Sequence, residues 1–195
     1  MVSDMAENDT NAQVNGMDEK QLLKACLDGD IRAQKHLYDY HAPKMFGICL
    51  RYAPDSDTAA DILQDGFIRI FDKLQTFRQE GSLEGWMRRI MVNTALGYLR
   101  RNDILRRAVA LDDTFSGPET THEDENSIEL PNQQTLLRLI ADLPPGFRTV
   151  FNLYAIDNLP HSEIARLLGI SEGTSKSQYA RARAWLRKRI TDLNP

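Results

Sequence analysis

Apolar residues recur at intervals of three and four in every sustained stretch of the chain, which predicts helices and no strand. Leu22, Leu23, Cys26 and Leu27 mark the buried side of a first helix, closed by Asp28, Gly29 and Asp30. A second is predicted from about Ile31 to Tyr40. Pro43 opens a third, with Met45, Ile48, Cys49 and Tyr52 inward. Pro54, Asp55, Ser56 and Asp57 form a turn that caps a fourth, from about Thr58 to Leu74. Its core face is Ala59, Ile62, Leu63, Phe67, Ile70, Phe71 and Leu74. After a polar loop from Phe77 to Gly85, a fifth helix runs from about Trp86 to Arg101, where Leu83, Met87, Ile90, Met91, Thr94 and Tyr98 can pack. Trp86 is read as core, because a tryptophan at helical spacing usually packs.

The back half repeats the helical pattern four times, without an internal sequence repeat. Gln133 to Asp142 carries Leu136, Leu137, Leu139 and Ile140, and Leu143 follows it. Pro144, Pro145 and Gly146 are a hard stop. Phe147 to Asp157 carries Val150, Phe151 and Tyr154. His161 to Ile190 then reads as two helices and a tight turn. The first turns Ile164, Ala165 and Leu168 inward. Gly169 supplies the turn conformation, Ile170 plugs it, and Ser171 caps the second helix. On that second helix Ser175, Tyr179, Ala182, Leu186 and Ile190 share one face. Lys176, Ala180, Arg183 and Arg187 share the opposite one, with Ser177, Arg181 and Lys188 beside them. This is a helix-turn-helix pattern, and such a second helix fits the major groove of DNA. An ordinary hairpin with a solvated charged face is the plain alternative. Ala180 and Ala184 among the cations weigh against it, since they allow close approach of the backbone. Ser175 weighs for it, since an apolar residue would pack better on the inner face.

Two front-half helices carry a second stripe besides their core face. On the fourth it is Asp61, Gln64, Asp65, Ile68 and Asp72, polar except for one isoleucine, which leans towards a protein-binding face; a scattered surface apolar residue is the plain alternative. On the fifth it is Arg89, Asn93 and Arg100, with Arg88 and Arg101 at its edges.

Charge changes the picture more than composition does. The 195-residue chain has a net charge of −4. That value hides blocks. Residues 86–107 hold six arginines and one acid, and residues 161–190 hold seven Lys and Arg against two acids. Residues 108–131 hold seven acids and no Lys or Arg, and residues 1–19 hold five acids and none. Two basic patches flanking an acidic strip suggest two contacts with a polyanion. The stretch 104–131 has no sustained period and reads as a flexible linker, and residues 1–17 read as a disordered tail. The expected fold is all-α: two small helical domains, 18–103 and 132–192, joined by that acidic linker.

Several function classes recede. No apolar run is long enough to span a bilayer, and no secretory signal is expected at the N-terminus. Two cysteines without close spacing suggest reduced thiols in a cytoplasm. His36, His41, Cys26 and Cys49 could be drawn as a metal site, but their spacing fits no zinc pattern. No Gly-rich phosphate loop, nucleophile elbow or paired-acid motif occurs, so neither catalysis nor a cofactor is expected.

The stretch DILQDGFIRIFDKLQTFRQEGSLEGWMRRIMVNTALGYLRR closely resembles region 2 of bacterial sigma factors of the extracytoplasmic-function (ECF) group. DLPPGFRTVFNLYAIDNLPHSEIARLLGISEGTSKSQYARARAWLRKRI resembles their region 4. With Asp18 to Asp57 the resemblance covers nearly all of residues 18–190. Two such regions in this order, with an acidic linker and no domain between or before them, are specific where a helix-turn-helix alone is not.

The resemblance implies a sigma factor that binds core RNA polymerase and directs it to promoter DNA. It implies that Asp61, Gln64, Asp65 and Ile68 dock on the polymerase. Gln79, Glu80, Gly81 and Ser82, with Arg88, Arg89, Asn93, Arg100 and Arg101, would capture the opened −10 element. A Gly-containing polar loop can pocket a flipped base. Lys176, Ser177, Gln178 and Arg181 would read the −35 duplex, with His161 and Ser162 near phosphates. The linker would thread the polymerase's RNA exit path. An anti-sigma protein is the further partner implied; no small-molecule substrate is. Ser175 and Gln178 depart from the family, which usually has an apolar and a basic residue at those positions. The competing readings are a two-domain regulator that binds DNA without joining polymerase, and a partner-binding module held in a sequestered pair.

Overall fold

The computed structural model describes residues 13–14, 17–101 and 131–193. The expected linker, apart from Pro131, and most of the expected N-terminal tail lie outside these residues. The chain forms two compact units, divided between Ala95 and Leu96 inside the last front-half helix. Apart from a two-residue antiparallel pairing of Gln13–Val14 with Met17–Asp18, every regular element described is helical, as the periodicity predicts.

In the front unit, α1 (Glu19–Leu27) buries Leu22, Leu23 and Cys26. The second and third predicted helices are one, α2 (Ile31–Tyr52), with Pro43 inside it. A proline removes one amide donor and orphans the carbonyl four residues before it. Here that residue is Asp39, which is exposed, so water can satisfy the carbonyl. The buried row Leu37, His41, Met45, Ile48, Cys49 and Tyr52 runs past the proline and supplies the reason to stay helical. Asp30 caps α2, accepting from the Arg32 amide at 2.8 Å.

Helix α3 (Ser56–Lys73) starts where the Pro54–Asp57 turn predicts. The Asp55 carboxylate accepts from the Thr58 amide at 2.7 Å, which also holds its pKa below the ordinary carboxylate value. A single 3₁₀ turn (Leu74–Thr76) and a loop lead to α4 (Leu83–Arg101). This helix begins three residues earlier than expected, because Ser82 caps it: its hydroxyl accepts from the Gly85 amide at 3.1 Å. Gly66 brings α3 and α4 together. A Cβ there would lie 2.2 Å from the Met91 sulfur, and Met91 is fully buried. The absence of a side chain at Gly66 is what lets α4 seat Met91 on α3.

In the back unit, α5 (Gln133–Ala141) is capped by Asn132, which accepts from the Thr135 amide at 2.9 Å. Helix α6 (Pro145–Phe151) has its proline in the first turn, where no amide partner is needed, and continues into a π-helical turn (Asn152–Ile156). Helices α7 (His161–Leu168) and α8 (Glu172–Leu193) complete the unit. Its core is Ile140, Leu143, Phe147, Ala182 and Leu186, flanked by Leu136, Leu139, Phe151 and Trp185. Burying each such aliphatic or aromatic side chain is worth about 1.5–3 kcal/mol.

Both cysteines are free and buried. Burial pushes the Cys26 thiol up to about 11, with Asp30 adding to the shift, and the Cys49 thiol up to about 12. His41 is buried as well, and its Nδ1 has no hydrogen-bond partner. Burial lowers its pKa; Glu84 opposes that shift and Lys44 adds to it. The unfolded chain therefore protonates this histidine first as pH falls. The stability of the front unit is fully present above the unfolded value of about 6.5 and declines below it. We expect the His41 imidazole to titrate below about 6.5 by NMR, with the urea midpoint of the front unit falling between about pH 7 and about pH 5. Titration at or above the unfolded value would contradict the burial account.

Candidate polymerase-binding and nucleic-acid interfaces

On α3 the inward face consists of Ala59, Ile62, Leu63, Gly66, Phe67 and Ile70. Asp61, Gln64, Asp65, Ile68 and Asp72 are all exposed, and they follow one another at helical spacing. The structure thus brings the whole second stripe to one outward face. Ile68 is 54% exposed among acids and an amide. A single exposed apolar residue is common on ordinary surfaces, so the stripe stands as a candidate contact face.

The loop before α4 has a defined conformation. Gln79 has φ 57° and Gly81 has φ 147°, values that turn the backbone back on itself. Two contacts hold its ends: the Phe77 and Trp86 rings, 5.4 Å apart, and the Ser82 cap. Lys44 and Glu84, 2.8 Å apart, tie α2 to the first turn of α4, and that pairing raises the Lys44 pKa. Sequence reasoning missed this bridge, since 40 residues separate its partners. Trp86 is half-buried against Phe77, so it packs, and it also braces the loop. Gln79, Glu80, Gly81 and Ser82 are exposed together. Along α4, Arg89, Asn93, Arg100 and Arg101 are exposed and Arg88 is half-buried.

In the helix-turn-helix, Gly169 takes the left-handed conformation at φ 69°, and the Ile170 amide donates to the Ala165 carbonyl at 3.1 Å. Ser171 caps α8 by accepting from the Thr174 amide at 2.9 Å. Ile164 is fully buried beneath the turn. Ser162, Lys176 and Ser177 are exposed and Arg181 is half-exposed. Lys176 pairs with Glu172 at 2.7 Å, which lowers the Glu172 pKa. Arg189 lies over the Trp185 ring at 5.1 Å.

Of the residues expected at the −35 duplex, Gln178 lies inward and His161 is partly enclosed. Gln178 is 2% exposed and lies on the buried side of α8 with Ser175, Ala182, Leu186 and Ile190. It stands three residues after Ser175 and four before Ala182, so helical geometry turns it inward, and it cannot reach a base edge from there. His161 is half-buried. Its ring stacks on Tyr154, with centroids 4.2 Å apart and planes 10° apart, and its Nδ1 lies 2.9 Å from the Ser175 hydroxyl. Burial lowers the His161 pKa and Lys176 adds to the shift, against Glu172. Among the described residues, no group of three or more His, Cys, Asp or Glu could hold a metal ion, and no helix is long and apolar enough to cross a membrane.

Two helical units, one with an acid-and-isoleucine stripe beside a basic helix and one with a basic helix-turn-helix, define a DNA-binding transcription protein. Residues 37–104 match Sigma-70 region 2, and residues 133–186 match Sigma-70, region 4. The chain is 33% identical to the ECF RNA polymerase sigma factor SigE of Mycolicibacterium smegmatis over 75% of its length and 57% of that protein's. It is 30% identical to the ECF RNA polymerase sigma factor SigW of Bacillus subtilis, over 89% of this chain and 97% of that one. Among solved structures, the sigma factor RpoE of Bartonella quintana, crystallised with the anti-sigma factor NepR, aligns with TM-score 0.48 and 20% identity, over 83% of this chain and 98% of that one. The chain belongs to the ECF family of RNA polymerase sigma factors, and its function is to direct transcription from promoters.

If the loop conformation matters for function, Gly81→Ala is strained at its φ of 147°. We expect this variant to keep its helical content and to lose about tenfold in promoter opening, read by permanganate reactivity of unpaired thymines. Unchanged reactivity would remove the loop from the opening step.

Proposed function

We propose that the front unit joins core RNA polymerase through the α3 stripe and captures unpaired −10 bases, while the back unit fixes register at −35. The protein performs no covalent chemistry of its own and works in the cytoplasm, where polymerase and promoter are. Asp61, Gln64, Asp65 and Ile68 form the polymerase contact. Their common exposure on one face of α3, with Ile68 at its centre, is the observation that carries this reading. Gln79, Glu80, Gly81 and Ser82 form the pocket for a flipped base. Arg88, Arg89, Asn93, Arg100 and Arg101 neutralise and orient the strand. On the back unit Lys176, Ser177 and Arg181 face the −35 major groove, with Ser162 near a phosphate. Gln178, buried, and His161, stacked on Tyr154, are outside this set. An anti-sigma protein masks these faces when transcription is off; the acidic stretch expected in the RNA exit path lies, apart from Pro131, outside the described residues.

Purified protein and core polymerase should together start RNA synthesis at positions that core enzyme alone ignores. Their absence on every template would end the proposal and leave a DNA-binding regulator. Changing Asp61 and Gln64 together to alanine should weaken co-purification with core enzyme while leaving the helical content intact; full retention would move the docking face off α3. Arg181→Ala should cost about 1–3 kcal/mol on the cognate −35 sequence and far less on a −35 variant if Arg181 reads a base. An equal loss on both templates would assign it to phosphate instead.

A further inference from the structure

The buried side of α8 is divided. Its C-terminal half packs by apolar burial, with Ala182 and Leu186 in the core cluster and Ile190 also buried. Its N-terminal half instead presents Ser175 and Gln178, which are 0% and 2% exposed, and the half-buried Tyr179. A helix end with polar residues inward gains little from burial, and because the buried Gln178 Nε2 has no hydrogen-bond partner, the directional contact falls to Ser175. The Ser175 hydroxyl meets His161 Nδ1 at 2.9 Å. His161, the first residue of α7, stacks on Tyr154 of the π-helical turn. Tyr179, one turn beyond Ser175, closes the cluster: its ring centroid lies 4.5 Å from Tyr154 and 6.0 Å from Phe151. Three segments therefore meet at one hydrogen bond beneath the end of α8 that carries Lys176 and Ser177.

We propose that His161 and Ser175 are a positioning pair for −35 readout: their hydrogen bond sets the rotation and depth of the N-terminal half of α8, and so which base edges its outer residues reach. This rests on the −35 role proposed above for α8. The pair accounts for a serine at a position where an apolar residue would pack better: the hydroxyl is matched by a ring that the fold already holds. An imidazole stacked on Tyr154, with its pKa lowered by burial and by Lys176, favours the neutral form, so its attraction for a phosphate is weak while its Nδ1 stays available to the hydroxyl. A hydrogen bond is directional where apolar contact is not. Losing it frees the helix end to turn, and a small turn misaligns bidentate base contacts while phosphate attraction persists.

The test is a double-mutant cycle on full-length protein with core polymerase. The promoter comes from transcript start mapping, and the readout is the ratio of initiation on that promoter to initiation on a copy with the −35 bases scrambled. We expect His161→Ala and Ser175→Ala each to lower this ratio about tenfold, and the double variant to fall no more than about twofold below the lower single. His161→Asn, which returns a polar atom near the Nδ1 position, should recover most of the ratio. Ratios unchanged in both single variants overturn the proposal. So do effects that multiply in the double variant, or a loss in His161→Ala that is equal on both templates, which makes His161 a phosphate contact. If an alanine variant melts below the assay temperature, Ser175→Cys keeps the volume, weakens the hydrogen bond and is judged by the same criterion. If the unaltered protein starts no transcript, the sigma-subunit proposal itself falls and takes this one with it. If the unaltered protein discriminates and the variants do so equally well, this proposal alone falls.

Discussion

Each working helix in this protein must serve two neighbours with one cylinder. With no sheet beyond a two-residue pairing among the described residues, α3, α4 and α8 bury one side against other helices and leave another exposed. On α3 the division is strict: Ala59, Ile62, Phe67 and Ile70 inside, Asp61, Gln64, Asp65 and Ile68 outside. Gly66 makes it possible by letting Met91 of α4 press against the α3 backbone, so the two front-unit helices with proposed partners are fixed to each other at a point where no side chain intervenes. A shift of α4 on α3 would move the loop proposed for −10 capture relative to the face proposed for polymerase. The close contact at Gly66 and the bridge between Lys44 and Glu84 both oppose such a shift.

The back unit meets the same demand with different chemistry. Only part of the inner side of α8 is apolar; the rest relies on the cap at Ser171, the left-handed turn at Gly169 and the aromatic cluster around His161. Directional contacts specify geometry better than they stabilise it, since a buried hydrogen bond contributes about 0.5–1.5 kcal/mol net while an apolar side chain contributes more. A recognition helix needs its orientation fixed above all, and polar contacts are suited to that task.

Much of this was legible in the residues. The core and outward stripes of α3 follow from spacing, and the Asp55 cap and the Gly169 turn from residue type. Leu27 and Leu137, expected to pack, are instead 53% and 51% exposed. Three further things did not follow. Pro43 looked like a helix start because proline usually is one; only the continuous buried row on either side of it, set against an exposed Asp39, reveals an uninterrupted α2. The resemblance puts Gln178 at the −35 bases by position, whereas its distance from Ser175 and Ala182 places it on the inner stripe; there spacing is the better guide. The resemblance also puts His161 near phosphates, and its stacking on Tyr154 depends on a π-helical turn that no local pattern announces. For Pro43 and His161 the missing information was tertiary: what the helix meets.

The two thiols carry a last consequence. Oxidants and electrophiles attack the thiolate, and both Cys26 and Cys49 are buried with pKa values raised to about 11 and about 12. Folded, this protein has almost no reactive thiolate to offer. Thiol-based sensing of oxidative damage would fall to another molecule, with the signal relayed to these promoters by binding or release.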